Sequence, residues 1–145
     1  MGMVVGVAEF LENVSKLKKR EEKVAALRHN DSVVLRMIMQ GAFDPNVKWA
    51  LPPGVPPYTP NTLVDQEHVF IRESRKIPYF IEGMHPNLKQ IKRESLFIEL
   101  LEQVSPKDAL LLCSIKDKKL PVKGITKDIV LEALPGLFKD EQTNV

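Results

Sequence analysis

The sequence predicts an all-α fold: a single domain of about seven or eight short helices with a long proline-rich loop near residues 44–62. Three observations carry that expectation. Apolar residues recur at three- and four-residue steps through most of the chain, the period of a helix with one buried face. Residues that cap helix starts stand where those stripes begin. Alternation at period two is missing, and so are Asn-Gly and Asp-Gly hairpin turns, so nothing in the pattern asks for a strand. A chain of 145 residues suits one core. At that size folding should hide about two-thirds of the surface of the unfolded chain.

The first helix, about residues 4–17, places Val4, Val7, Ala8, Leu11, Val14 and Leu17 on one side. "KLKKREEK" follows as an exposed, charged link into a second helix carrying Val24, Ala25, Leu27 and Arg28. "HNDS" breaks the pattern, and Asp31 or Ser32 can cap the third helix by accepting from an unpaired N–H of its first turn. That helix runs to about Phe43 with Val34, Met37, Ile38, Gly41 and Ala42 inward, and Asp44-Pro45 ends it because the residue before proline avoids the α region.

Six of the eleven prolines then fall between Pro45 and Pro60. Neither a helix nor a central strand tolerates that density, so the segment is extended, with Trp49, Leu51 and Tyr58 pinning it to the body. It could also serve as a ligand for a proline-recognising module. Beyond Leu63 a helix is expected to reach Ile81 with a kink at Pro78. Asn87 is expected to cap a helix over about 88–104 whose stripe is Ile91, Leu96, Phe97, Leu100, Leu101 and Val104. Ser105, Pro106 and Asp108 form a strong start signal for a helix to about Asp117, with Leu110, Leu111, Leu112 and Ile115 as its apolar positions. Thr126 is expected to cap a last helix, about 127–134.

Little in the chain points to catalysis. His29, His68 and His85 are scattered without metal-ligand spacing, and the single Cys113 sits in an apolar run, where it reads as a small buried hydrophobe in a reducing, cytoplasmic setting. Glycine-rich phosphate loops and a Gly-x-Ser-x-Gly elbow are absent. Glu99 and Glu102 read as solvating one helix face. No catalytic residue, metal, cofactor or small-molecule substrate is therefore expected, and the protein is not expected to be an enzyme. The start "MGMVVGVAEFL" lacks a basic leader and a cleavage site, and no apolar run is long enough to cross a membrane.

The net charge is only +2, so contact with nucleic acid would need a local patch. "LLCSIKDKKLPVKGITKDIVLEALPGLF" supplies one: Lys116, Lys118, Lys119, Lys123 and Lys127 crowd a turn that leads into a helix start. Gly124 permits a positive φ or a close backbone approach. A helix N-terminus flanked by lysines suits a phosphate.

This stretch resembles the N-terminal DNA-binding domain of ATP-dependent DNA ligases. There a helix ends in a charged turn, and a Gly-Ile/Val-small segment then starts another helix. Asp117 to Lys119, Gly124-Ile125-Thr126 and Ala133 to Phe138 fill those places here. "KKREEKVAALRHNDSVVLRMIMQGAFDPNVKW" is similar to the same domain in ligases of T4-like phages. With the proline loop and "KDKKLP", the chain also resembles a family of small proteins of unknown function from T4-like phages of cyanobacteria. The resemblance implies an all-helical scaffold that grips duplex DNA, nicked or intact, through contacts to the DNA backbone across the minor groove. The residues carried over are Lys116, Lys119, Lys123, Gly124, Ile125, Thr126 and Lys127, with Lys118 in the same turn and Lys89, Lys92 and Arg93 as a secondary patch. The family's turn commonly has Arg, where this chain has Lys118 and Lys119 followed by an inserted Leu120-Pro121. A Lys-x-Asp-Gly adenylation motif is missing, so ligation is not expected.

Two functions follow as expectations. One is a non-catalytic phage accessory protein that binds duplex DNA through phosphates, without sequence preference, in the host cytoplasm. The other is an adaptor on the same scaffold, touching a host or phage polymerase, a sliding clamp or another phage protein. Its contacts would be Trp49, Tyr58, Leu137 and Phe138.

Overall fold

A computed structural model describes residues 6–63 and 65–138. Among them are seven α-helices, one 3-10 helix and no strand. The helices are α1 (Val7–Ser15), α2 (Arg20–His29), α3 (Val33–Phe43), α4 (Val69–Glu73), α5 (Gln90–Gln103), α6 (Pro106–Lys116) and α7 (Lys127–Ala133), with the 3-10 helix Ser74–Phe80 directly after α4. Helix α6 packs against α1, α3 and α5, and α2 lies along α7. No helix among the described residues is long and apolar enough to cross a membrane.

Three of the four expected caps act where the sequence puts them. Ser32 Oγ accepts from Leu35 N–H, Ser105 Oγ from Asp108 N–H and Thr126 Oγ1 from Ile129 N–H. Each satisfies one of the donors a first turn leaves unpaired. Pro106 occupies the first turn of α6, where its missing N–H costs nothing. Helix α1 differs. Its N-cap is Gly6, which has no side chain, and the Asp108 carboxylate on α6 accepts from Ala8 N–H at 2.8 Å instead.

One core runs through the molecule. Phe70, Phe80, Phe97 and Phe138 are among its largest fully buried side chains, and Phe80 meets Phe97 edge-to-face at 5.3 Å. Cys113 is buried in it. The proline segment crosses the surface as an extended strap. Among the described residues its paired stretch is an isolated bridge between Trp49 and Ile81, flanked by Ala50 N–H to the Phe80 carbonyl and Glu82 N–H to the Lys48 carbonyl.

Three expectations need correction. The long kinked helix over 63–81 is instead a five-residue α-helix continued by a 3-10 helix with Pro78 inside it. Proline cannot donate, and the tighter winding keeps the flanking backbone bonded. Helix α5 starts at Gln90 with Lys89 as its N-cap, later than Asn87 would set it. Ile91 is 83% exposed rather than in the core, because Arg93, Phe97, Leu100 and Leu101 form the inner side of α5 and Ile91 lies half a turn round the helix from Leu100. Leu110 is also turned to solvent, because Ala109, Leu111 and Leu112 already fill the inner side of α6.

Candidate nucleic-acid interface

The lysine-rich turn after α6 divides into lysines whose amines are bonded to backbone carbonyls and lysines that, among the described residues, are not. Lys116, in the last turn of α6, is buried, and its amine donates to the Pro52 carbonyl at 2.9 Å and to Asp117 Oδ1 at 2.8 Å. Asp117 Oδ2 in turn accepts from Gly54 N–H. Burial opposes ionisation of Asp117, but the Lys116 amine and the Gly54 N–H outweigh it and hold the carboxyl below its usual range. Lys116 therefore staples the proline strap to α6 and is not available to a phosphate. Lys116→Met keeps the stem and removes both bonds. It is expected to cost about 1–3 kcal/mol and to speed hydrogen exchange at Gly54, as amide exchange on the two proteins would show.

Lys118 is committed in the same way. Its backbone takes φ +63°, and its amine donates to the Asp44 carbonyl at 2.7 Å and the Val47 carbonyl at 2.8 Å. It thus satisfies carbonyls just beyond the end of α3. Burial of this amine lowers its pKa. Arg93 is buried too, donating to the Tyr79 and His85 carbonyls and to Gln90 Oε1. Ile125 is in the core, and Thr126 spends its hydroxyl on the α7 cap. These five side chains are thus committed to the fold.

Lys119, Lys123 and Lys127 remain exposed, as do Lys89 and Lys92 at the start of α5. Among the described residues none of the five is in an ion pair. Lys127 is held over the Phe138 ring, 5.4 Å from its centroid. Gly124, between Lys123 and Ile125, adopts φ +91°, which a residue with a side chain rarely accepts. Its carbonyl accepts from the Lys23 amine at 2.9 Å, and a Cβ built on it would lie 2.7 Å from that amine and 3.5 Å from the Ser15 carbonyl. The flexible amine can move aside, so the backbone conformation sets the cost. Gly124→Ala is expected to destabilise by about 1–2 kcal/mol, measurable by urea denaturation.

The Gly124 contact brings in a second basic segment that the sequence reading left as an exposed link. Lys16, Lys18 and Lys19 connect α1 to α2 immediately beyond Ser15, and all three are exposed. They carry no ion pair among the described residues. Lys23 ties this segment to the 119–127 turn. Arg20 and Arg28 fasten the neighbouring α2–α7 contact, Arg20 to the Glu132 carboxylate and Arg28 to the Glu132 carbonyl. The run "KLKKR" was the available signal, but only the fold sets it beside residues more than a hundred positions away.

The four expected protein contacts divide differently. Trp49 is buried, with its indole N–H donating to the Gly41 carbonyl at 3.0 Å. Leu137 and Phe138 are core residues, each 2% exposed, and the Gln40 side chain donates to the Leu137 carbonyl. A partner cannot reach these three without unfolding the domain. Tyr58 is half-buried on the strap, and burial raises its phenol pKa.

The model of a family of unknown function, DUF6433, matches residues 10–122. No curated protein and no solved structure matches the chain.

Proposed function

The chain belongs to the DUF6433 family, and from its surface we propose that it is a non-catalytic, duplex-DNA-binding accessory protein that grips backbone phosphates without reading sequence. The meeting of two lysine-rich segments carries this proposal. Lys16, Lys18 and Lys19 from the α1–α2 link and Lys119, Lys123 and Lys127 from the turn before α7 are all exposed, and Lys23 joins the two segments. Duplex DNA carries one negative charge per roughly 1.7 Å of axis, so clustered ammonium groups gain affinity by releasing counterions.

The choice of cation fits phosphate contact without base readout. Lysine is a point charge on a flexible stem, whereas arginine offers the fork that reads guanine. Here the arginines beside the surface, Arg20 and Arg28, are tied to Glu132, and the free cations are lysines. The resemblance of about residues 8–47 and 96–138 to ligase DNA-binding domains, and with it a phage setting, supports the same reading.

Fluorescence anisotropy of a labelled nicked duplex across a salt series tests the proposal. Log affinity should fall linearly with log salt. Absence of binding even at low salt would overturn it.

A further inference from the structure

We propose that Asp108 is a proton-controlled latch on α1. Helix α1 has no cap of its own, because Gly6 carries no side chain. The Asp108 carboxylate reaches across from α6 to do that work, with Oδ1 accepting from Ala8 N–H. The residue is fully buried, and Oδ2 has no hydrogen-bond partner among the described residues. A buried carboxylate normally finds partners for both oxygens. A Cβ on Gly6 would lie 3.3 Å from Oδ2 and 3.4 Å from Glu67 Cγ, so these groups are tightly apposed.

The charges around Asp108 have its own sign. Glu67, from the segment leading into α4, and Glu9, on α1, both act against its ionisation. Lys107, its neighbour on α6, is turned to Glu12 of α1 at 3.3 Å. Burial first, and then Glu67 and Glu9, raise the carboxyl above its ordinary value, while the hydrogen bond from Ala8 N–H pulls the other way without prevailing. A carboxyl raised on folding contributes stability that is complete below its unfolded value of 3.8. That contribution is lost as pH rises through the folded value. The neutral carboxyl can keep Ala8 N–H on one oxygen without burying a negative charge beside Glu67 and Glu9, so protonation stabilises the docked α1 and ionisation destabilises it. The inference stands on the α1–α6 contact alone and holds whether or not the lysine surface binds DNA.

Asp108→Asn tests it, since the amide oxygen can still accept from Ala8 and the side chain cannot ionise. Thermal unfolding of both proteins is followed from pH 4.5 to 8, with amide protection in α1 compared with that in α5. The wild-type Tm should fall relative to the variant by a few degrees as pH rises, with protection lost first in α1. Parallel Tm profiles with unchanged α1 protection would overturn the latch. If the variant does not fold, carboxyl carbon NMR of the wild type decides. Titration of Asp108 above the usual aspartate range supports the latch, and titration within or below that range overturns it.

Discussion

Reversing the charge of Lys119 and Lys123 together is expected to abolish duplex binding while leaving the fold intact. Both side chains are exposed, and neither is in an ion pair among the described residues. Their replacement should therefore move stability by less than about 0.5 kcal/mol. Each lost phosphate contact lowers log affinity by about 0.9 at 0.1 M salt relative to 1 M. Two lost contacts amount to about 60-fold, and the new glutamates add repulsion to that loss. Anisotropy and thermal unfolding on the same preparation check both halves. A folded double variant that binds as tightly as the parent would remove the turn from the interface. Lys116→Met and Lys118→Met should not imitate it, because those amines are bonded to backbone carbonyls. Their cost should appear in stability, with the salt dependence of binding retained.

Trp49→Ala should produce the largest loss of stability, about 3–5 kcal/mol. That is a large share of the roughly 5–15 kcal/mol a domain has. The indole is buried between the strap and α3, donates to the Gly41 carbonyl and sits beside the bridge to Ile81. Its removal leaves a cavity, strands that carbonyl and releases the start of the proline segment. Gly41 fits the same joint from the other side. A Cβ there would come within 2.6 Å of Trp49 Cζ2, and a packed ring cannot yield as a lysine end can. Gly41→Ala alone should destabilise by about 1–3 kcal/mol. In the Trp49→Ala background the added methyl enters vacated space, so the two effects should be far from additive. Chemical denaturation of the two single variants and the double variant measures this, and simple additivity would contradict the contact.

Helix signals were legible where local chemistry decides. Ser32, Ser105 and Thr126 cap where expected, and Asp44-Pro45 closes α3, because each effect spans only a few residues. The stretch around Pro78 misled. Its apolar spacing reads as one helix, but the segment winds as a 3-10 helix around Pro78, and its end is bonded to Ala50 of the strap and Arg93 of α5, contacts that spacing does not show. Ile91 misled because it is apolar: nine residues before Leu100, it lies on the opposite side of α5, and Arg93 takes the inner position instead.

For the site, composition showed where lysines cluster but not which are in use. Lys116, Lys118 and Arg93 look like free cations in the sequence. Their partners are backbone carbonyls and polar side chains, and a carbonyl carries no residue-type signal. Asp108 reads as an ordinary first-turn acid of α6. Its second task, capping α1, depends on a contact a hundred residues away. Lys16, Lys18 and Lys19 were visible as a charged run, but their place beside Gly124 is a product of tertiary folding.

The central claim is that the two lysine segments act as one phosphate-binding surface. It is tested most directly by the salt slope of duplex binding in three proteins: the parent, Lys18→Gln/Lys19→Gln, and Lys119→Gln/Lys123→Gln. Each lost contact should reduce the slope by about 0.9. Both variants should therefore show a shallower dependence than the parent while remaining folded. An unchanged slope in either variant, or no salt-dependent binding by the parent, would contradict a shared surface.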